Sequence, residues 1–347
     1  MPWILAIPPE AWATAGRLWA AALLDYGLGD PWGWPHPVRV MGWMITQYSR
    51  FALAAAASAP TQRRLGIILA VGMISGWGLG SWAFLVLLHW VNPVLGESVG
   101  VILLASCWAG RSLRQAATEV LRPLQAGDLA EARQALSRYV GRDTDGLESP
   151  EILRAVLETV CENGVDGVLA PLFYALLGAV IPGVGSVPLA MAYKAASTLD
   201  SMVGYREAPY TNLGWASARL EDGLTWLPCR LAVLTLGLIA GRPRVVWRIA
   251  RRDGPADPSP NSGWSEAAYA AVLGVRLGGI NAYRGLVKVK PYVGDDDVPI
   301  TAGRVEQALR LTRKCFLIWL GTGSLVILGL HTRLQSYPGL PFLTGLY

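Results

Sequence analysis

The chain is predicted to be an all-α integral membrane protein, with about 4–5 membrane helices, a re-entrant hairpin and a set of cytoplasmic helices. Three observations predict this class. Hydrophobic residues make up 52% of the 347 and charged residues 16%, against ~25% charged in soluble domains. Fifteen residues are Trp, a side chain that concentrates at membrane interfaces. Leu65 to Val91 carries no Asp, Glu, Lys or Arg, and a span needs ~20 apolar residues. One polytopic domain is expected over 1–347: membrane helices in 1–110, a cytoplasmic-facing region in 111–314 holding the hairpin 168–196, and a membrane helix with a tail in 315–347.

The opening stretch lacks the basic segment of a cleavable signal and is expected to be mature sequence. Pro9 suits a first helical turn, and Trp12, Leu18, Trp19, Leu23 and Leu24 form an apolar stripe predicting a first membrane helix despite Arg17. In DPWGWPHPVRVMG the prolines forbid helix, leaving an interfacial loop or a ligand-lining one carrying Asp30, His36 and Arg39. Val40 to Ala59, with Gln47 and Arg50, reads as an amphipathic helix. Leu65–Val91 and Val94–Ala109 form a hairpin whose flanking Arg63, Arg64, Arg111 and Arg114 place both ends in the cytoplasm.

From Arg111 to Glu158 the chain is polar and helical, with Pro150 at a helix start and Glu151 in its first turn. Val168–Ala196 is apolar but broken by PGVGSVP; two arms of about thirteen residues are too short to cross, which predicts the re-entrant hairpin. Leu231–Gly241 is likewise too short. The basic loop beyond it is cytoplasmic, a helix begins near Glu266, and Cys315–Leu330 spans outward. Four cysteines without ligand spacing read as buried thiols.

Glu158, Glu162 and Asp166 recur every fourth residue, one face of a continuous helix. Oxygen-only and acidic, they suit Mg²⁺ or else form a solvated acidic face. Lys194 and Asp200 flank hydroxyl-bearing Ser197, Thr198 and Ser201, with Arg206 just beyond. That set can clamp a phosphate, or Lys194 can snorkel. Arg219 and Asp222 read as an i,i+3 helix pair. No P-loop, HExxH, GxSxG or Rossmann fingerprint is present, which argues against zinc and serine hydrolases. The net charge of +5 comes with no basic-aromatic run, so nucleic acid is not an expected partner.

GDPWGWPHPVRVMG, VGRDTDGL, ETVCENGVDGVLAPLFYALLG, AYKAASTLDSMVGYR, GWASARLED, SPNSGWSEAA and LGVRLGGINAY, in this order, closely resemble the CobD/CbiB family of cobalamin-biosynthesis proteins across essentially the whole chain. Gly164, Ser197, Arg206 and Ile280 depart from the family's usual Thr or Ser, Asn, Lys and Pro. The resemblance implies adenosylcobinamide-phosphate synthase activity in the cell inner membrane, with a cytoplasmic active face. This is an amide-forming ligase joining the carboxyl of adenosylcobyric acid to (R)-1-amino-2-propanol or its O-phosphate, with ATP and Mg²⁺. It further implies Mg²⁺ on Glu158, Glu162 and Asp166, and catalytic roles for Asp200, Lys194 and Glu162. Substrate or phosphate contacts are implied for His36, Arg39, Asn163, Arg206, Arg219, Asn261, Ser262 and Arg276. Implied partners are the corrinoid, the lipid bilayer and membrane enzymes of the late cobalamin pathway. The alternative is a non-enzymatic sensor of the AmpE-like branch, and a weaker one a transporter.

Overall fold

The structure, a computed structural model, describes residues 9–29 and 36–335, with side chains to 330. Asp30 and the tryptophans of 31–35 lie outside the described residues. The elements in order are α1 (Pro9–Gly27), α2 (Pro37–Ala55), α3 (Ala59–Val91), α4 (Pro93–Ala105), α5 (Gly110–Gln125), α6 (Leu129–Ser137) and α7 (Ser149–Gly164). There follow α8 (Ala170–Val180), α9 (Ser186–Val203), α10 (Trp215–Ile239), α11 (Pro243–Asp253), α12 (Ser262–Leu273), β1 (Leu277–Tyr283), β2 (Leu286–Val293) and α13 (Ala302–Gln335).

Five helical stretches among the described residues are long and apolar enough to cross a membrane: Ala59–Val91, Pro93–Gln125, Ser149–Val180, Trp215–Ile239 and Ala302–Leu330. Two of them change the reading of length. The first arm of the expected hairpin is the tail of a 32-residue helix, because a π-helical turn at Val165–Leu169 joins α7 to α8 without a break. α8 and α9 still form a helical hairpin over the 181–185 turn, but shortness no longer forces it to be re-entrant. Leu231–Gly241 is likewise mostly the end of α10, whose 25 residues run through Pro228. Conversely, α1 is not among the five; Arg17 and Asp25 interrupt its 19 residues.

The chain divides into two compact units, Met1–Ala109 with Ala170–Leu224 and Leu317–Tyr347, and Gly110–Leu169 with Thr225–Phe316. In the first unit α9 is central, packed against α2, α3, α4 and α8 and buried along most of its length. Small residues allow the close approach: Ala11, Ala15 and Ala21, beside Leu18, line the buried face of α1, which packs on α4. A Cβ on Gly66 of α3 would collide with the Leu213 carbonyl, so this helix needs glycine where the 204–214 loop crosses it.

In the second unit α12 is the central helix, with Ser262, Gly263 and every residue from Ser265 to Ala271 buried. It packs on α7, α11 and the β-hairpin. The hairpin departs from the expected all-helical reading. Its two-residue turn puts both Arg284 and Gly285 at positive φ (51° and 76°), the geometry that matches strand twist. Val287-Lys288-Val289-Lys290 then alternates with a period of two.

Candidate functional site

In the first unit the expected residues gather at the end of α9 and the start of α10. Lys194 is half-buried, and its carbonyl accepts the Thr198 hydroxyl at 2.7 Å. Asp200 sits in the last turn of α9 and folds over Gly204, where a Cβ would collide with its carboxylate. Arg206 and Arg219, both exposed, are the charged neighbours of Asp222. His36 caps α2, its Nδ1 accepting the Val38 amide at 3.3 Å, and Arg39 is exposed in the first turn.

The same unit holds an ionic cluster for which the sequence reading had no role. Arg17 Nε donates to Glu97 Oε2 at 2.9 Å and its Nη2 to Oε1. His89 Nε2 lies 3.1 Å from Glu97 Oε1 and Nδ1 lies 2.8 Å from the Leu85 carbonyl. Both ring nitrogens thus face oxygen atoms.

The second unit brings together charges from α7, α12 and the hairpin. Glu158, 2% exposed, accepts from Arg142, from Arg154 Nη1 at 3.0 Å and from the Gly278 amide at 2.9 Å. Arg142 also reaches Asn281 Oδ1 at 2.9 Å, and Arg154 reaches the Ile280 carbonyl at 2.9 Å. Asp143 accepts the Arg284 and Gly285 amides at 2.9 and 2.7 Å. The GRDTDGL motif is therefore the clasp that fixes the hairpin.

The hairpin in turn delivers Lys290 to α12. Its ammonium donates to Glu266 Oε1 at 2.6 Å and lies 3.7 Å from Asp257. Glu266 is fully buried, Ser262 Oγ lies 3.4 Å from Oε1, and Oε2 has no hydrogen-bond partner. Glu162 and Glu158 are the other carboxylates in its electrostatic surroundings. Burial pushes the Glu266 carboxyl up to about 8; Lys290 pulls against this, and Glu158 and Glu162 add to it. For Lys290 burial pulls down, but Glu266 and Glu162 outweigh it and hold the ammonium above its ordinary value.

The N-terminus of α12 is pressed against the preceding turn. A Cβ on Gly263 would collide with the Gly254 carbonyl, so the residue after Asn261-Ser262 has to be glycine. Asn261 Oδ1 accepts Arg230 Nη1 at 2.6 Å, and that guanidinium is stacked between Trp226 and Trp264, 4.9 and 4.5 Å from the ring centres.

The remaining expected residues are placed as follows. Asn163 is exposed and donates to the Thr159 carbonyl of its own helix at 3.0 Å. Arg276 is exposed, pairs with Asp296 at 2.9 Å and covers the Tyr292 ring. Glu158, Glu162 and Asp166 do not make a common ion site. Glu158 is taken by two guanidinium groups and an amide, and the π turn that begins at Val165 ends the four-residue repeat before Asp166. Among the described residues no three His, Cys, Asp or Glu side chains are grouped to hold a metal ion.

The family model described as CobD/Cbib protein matches residues 18–312. The chain belongs to the CobD/CbiB family. Among curated members, the cobalamin biosynthesis protein CobD of Synechocystis sp. is 53% identical over 319 residues, 92% of this chain and 93% of that one. The cobalamin biosynthesis protein CbiB of Salmonella typhimurium is 44% identical over 299 residues, 84% and 91% of the two chains. CobD of Klebsiella pneumoniae is 45% identical with the same coverage. No solved structure matches.

Four of the residues that sequence reasoning passed over lie inside the motifs that carried the family resemblance. Arg142 and Asp143 belong to GRDTDGL, Glu266 to SPNSGWSEAA and Asn281 to LGGINAY. Lys290 and Asp257 had no such mark. Their signals were a lysine in an alternating strand pattern and an aspartate opening a turn.

Proposed function

We propose that this protein acts in cobalamin biosynthesis as an ATP-dependent amide ligase. It joins the free carboxyl of adenosylcobyric acid to (R)-1-amino-2-propanol or its O-phosphate, giving adenosylcobinamide or its phosphate. The observation that carries the reading is family membership over residues 18–312, with relatives named for cobalamin biosynthesis. Chemistry supplies the form of the reaction. A carboxylate is a poor electrophile, so its oxygen first attacks the γ-phosphorus of ATP, releasing ADP and leaving an acyl phosphate. The amine nitrogen then attacks the acyl carbon, the C–N bond forms, and phosphate leaves with the proton lost from nitrogen.

In this reading Mg²⁺ enters with the nucleotide, and no step runs through a Glu158–Glu162–Asp166 site. Lys194 and Arg206 are proposed to hold phosphate charge. Catalysis is proposed to take place at the cytoplasmic face of the cell inner membrane, as the flanking arginines suggest.

The test is turnover by the purified, detergent-solubilised protein given adenosylcobyric acid, ATP, Mg²⁺ and each amine, with corrinoid products read by mass spectrometry. A product heavier by the amine less one water, dependent on ATP, is expected. Absence of that product with every amine would overturn the proposal. Lys194→Ala is expected to lower phosphate-dependent turnover more than corrinoid binding, by the roughly 1.5–3 kcal/mol of a charge-assisted contact.

A further inference from the structure

Around Lys290 the second unit is short of positive charge. Glu158 is satisfied by Arg142, Arg154 and the Gly278 amide. That leaves Glu266 and Asp257 on the Lys290 ammonium, with Glu162, one helical turn beyond Glu158 on α7, acted on by both Lys290 and Arg142. Glu266 is fully buried and its Oε2 is orphaned, whereas a buried carboxylate oxygen ordinarily has a donor. Glu162, half-buried on α7, lies in the field of Lys290 and Arg142. Buried acids in excess over their partners are costly, and they are matched when a cation with N–H donors joins them.

We infer that Glu266 Oε2 and Glu162 form the subsite for the primary ammonium of the amine substrate, with Lys290 and Asp257 fixing the position of Glu266. The inference rests on the amide-ligase reading. An ammonium has three donors on a compact centre. It fits one orphaned oxygen beside a second carboxylate better than Mg²⁺, which demands near-octahedral coordination by several oxygens; no such group is present among the described residues. The elevated proton affinity of Glu266 agrees with this: with no amine bound, a proton meets part of the charge that the ammonium meets in the complex.

The test uses the full-length protein in detergent and the isosteres Glu266→Gln and Glu162→Gln. Each is expected to raise the KM for the amine about tenfold or more, the factor that corresponds to ~1.4 kcal/mol, while the KM for the corrinoid acid stays within about twofold. Both should also unfold at higher temperature than wild type when no amine is present, because a repelling acid has been removed. An unchanged amine KM in both variants overturns the inference, as does a rise confined to Asp200→Asn. Direct binding separates this failure from failure of the ligase reading. Calorimetric titration of 1-amino-2-propanol alone should show binding to wild type that both variants weaken, whether or not amide is made. Binding of Mg²⁺ alone that Glu266→Gln abolishes, with no amine binding to wild type, would also overturn it.

Discussion

Two ionic clusters invite comparison, Arg17–Glu97–His89 in the first unit and Glu266–Lys290–Glu162–Asp257 in the second. In the first, one carboxylate receives a two-pronged guanidinium and an imidazole, and every ring nitrogen has its oxygen. In the second, Glu266 and Asp257 share one ammonium, Glu162 stands nearby on α7, and an oxygen of Glu266 is left without a donor. A closed cluster holds helices together and has no chemistry left over. An open one is destabilising until something else completes it, which makes it a place to look for a ligand. The count of donors against acceptors is what distinguishes them.

The comparison can be broken most forcefully at Glu158, a buried acid of the second unit whose two oxygens are both satisfied. Glu158→Ala leaves Arg142 and Arg154 without their shared carboxylate and should cost about 3–5 kcal/mol, read as a lowered unfolding midpoint in detergent. A loss no larger than that of an exposed substitution would show that this pairing is not what fastens α7 to the hairpin.

The pH dependence is the next test. Glu266 keeps its proton to about 8 when folded, against an ordinary value of 4.5. The folded state therefore binds the extra proton between these limits, and stability should fall as pH rises from 4.5 to about 8, then level off. Lys290 acts in another window: its raised value gives stability that is present at and below 10.5 and lost only at higher pH. Unfolding midpoints measured across this range should flatten between pH 4.5 and 8 in Glu266→Gln, and a slope identical to wild type would assign the effect elsewhere.

At the closed cluster Arg17→Met should cost about 1–2 kcal/mol, less than at Glu158 because Glu97 is partly exposed. No change in amine KM is expected to accompany it. The smallest effect is expected at Asp143, which is exposed. Its replacement by Ala removes two amide contacts from the hairpin turn and should cost about 1 kcal/mol, again by unfolding midpoint.

The membrane class was legible because composition and long uncharged runs report the solvent directly. Segment length misled at Val168–Ala196 and Leu231–Gly241, since the sequence does not display a π turn or a tolerated Pro228 as continuity. The four-residue spacing of Glu158, Glu162 and Asp166 was real. Spacing, however, says nothing of Arg142, which comes from outside α7 to claim the first of them. Glu266 stood in a quoted motif, but its role depends on Lys290, 24 residues later and carried across by a hairpin. Such a pairing is set by tertiary structure.

That hairpin has a further consequence, for self-association. Ile280 pairs with Val289 and Ala282 with Val287, so one face of the two strands is apolar, and Ile280, Val287 and Val289 on it are exposed. Strands of this kind template the addition of others. Here the Asp143 amide occupies the Ala282 carbonyl at 2.8 Å, and β2 carries Pro291, which has no donor to offer. The GRDTDGL segment thus guards an edge as well as fastening a turn, and variants that loosen it are expected to lose monodispersity on concentration before they lose their fold.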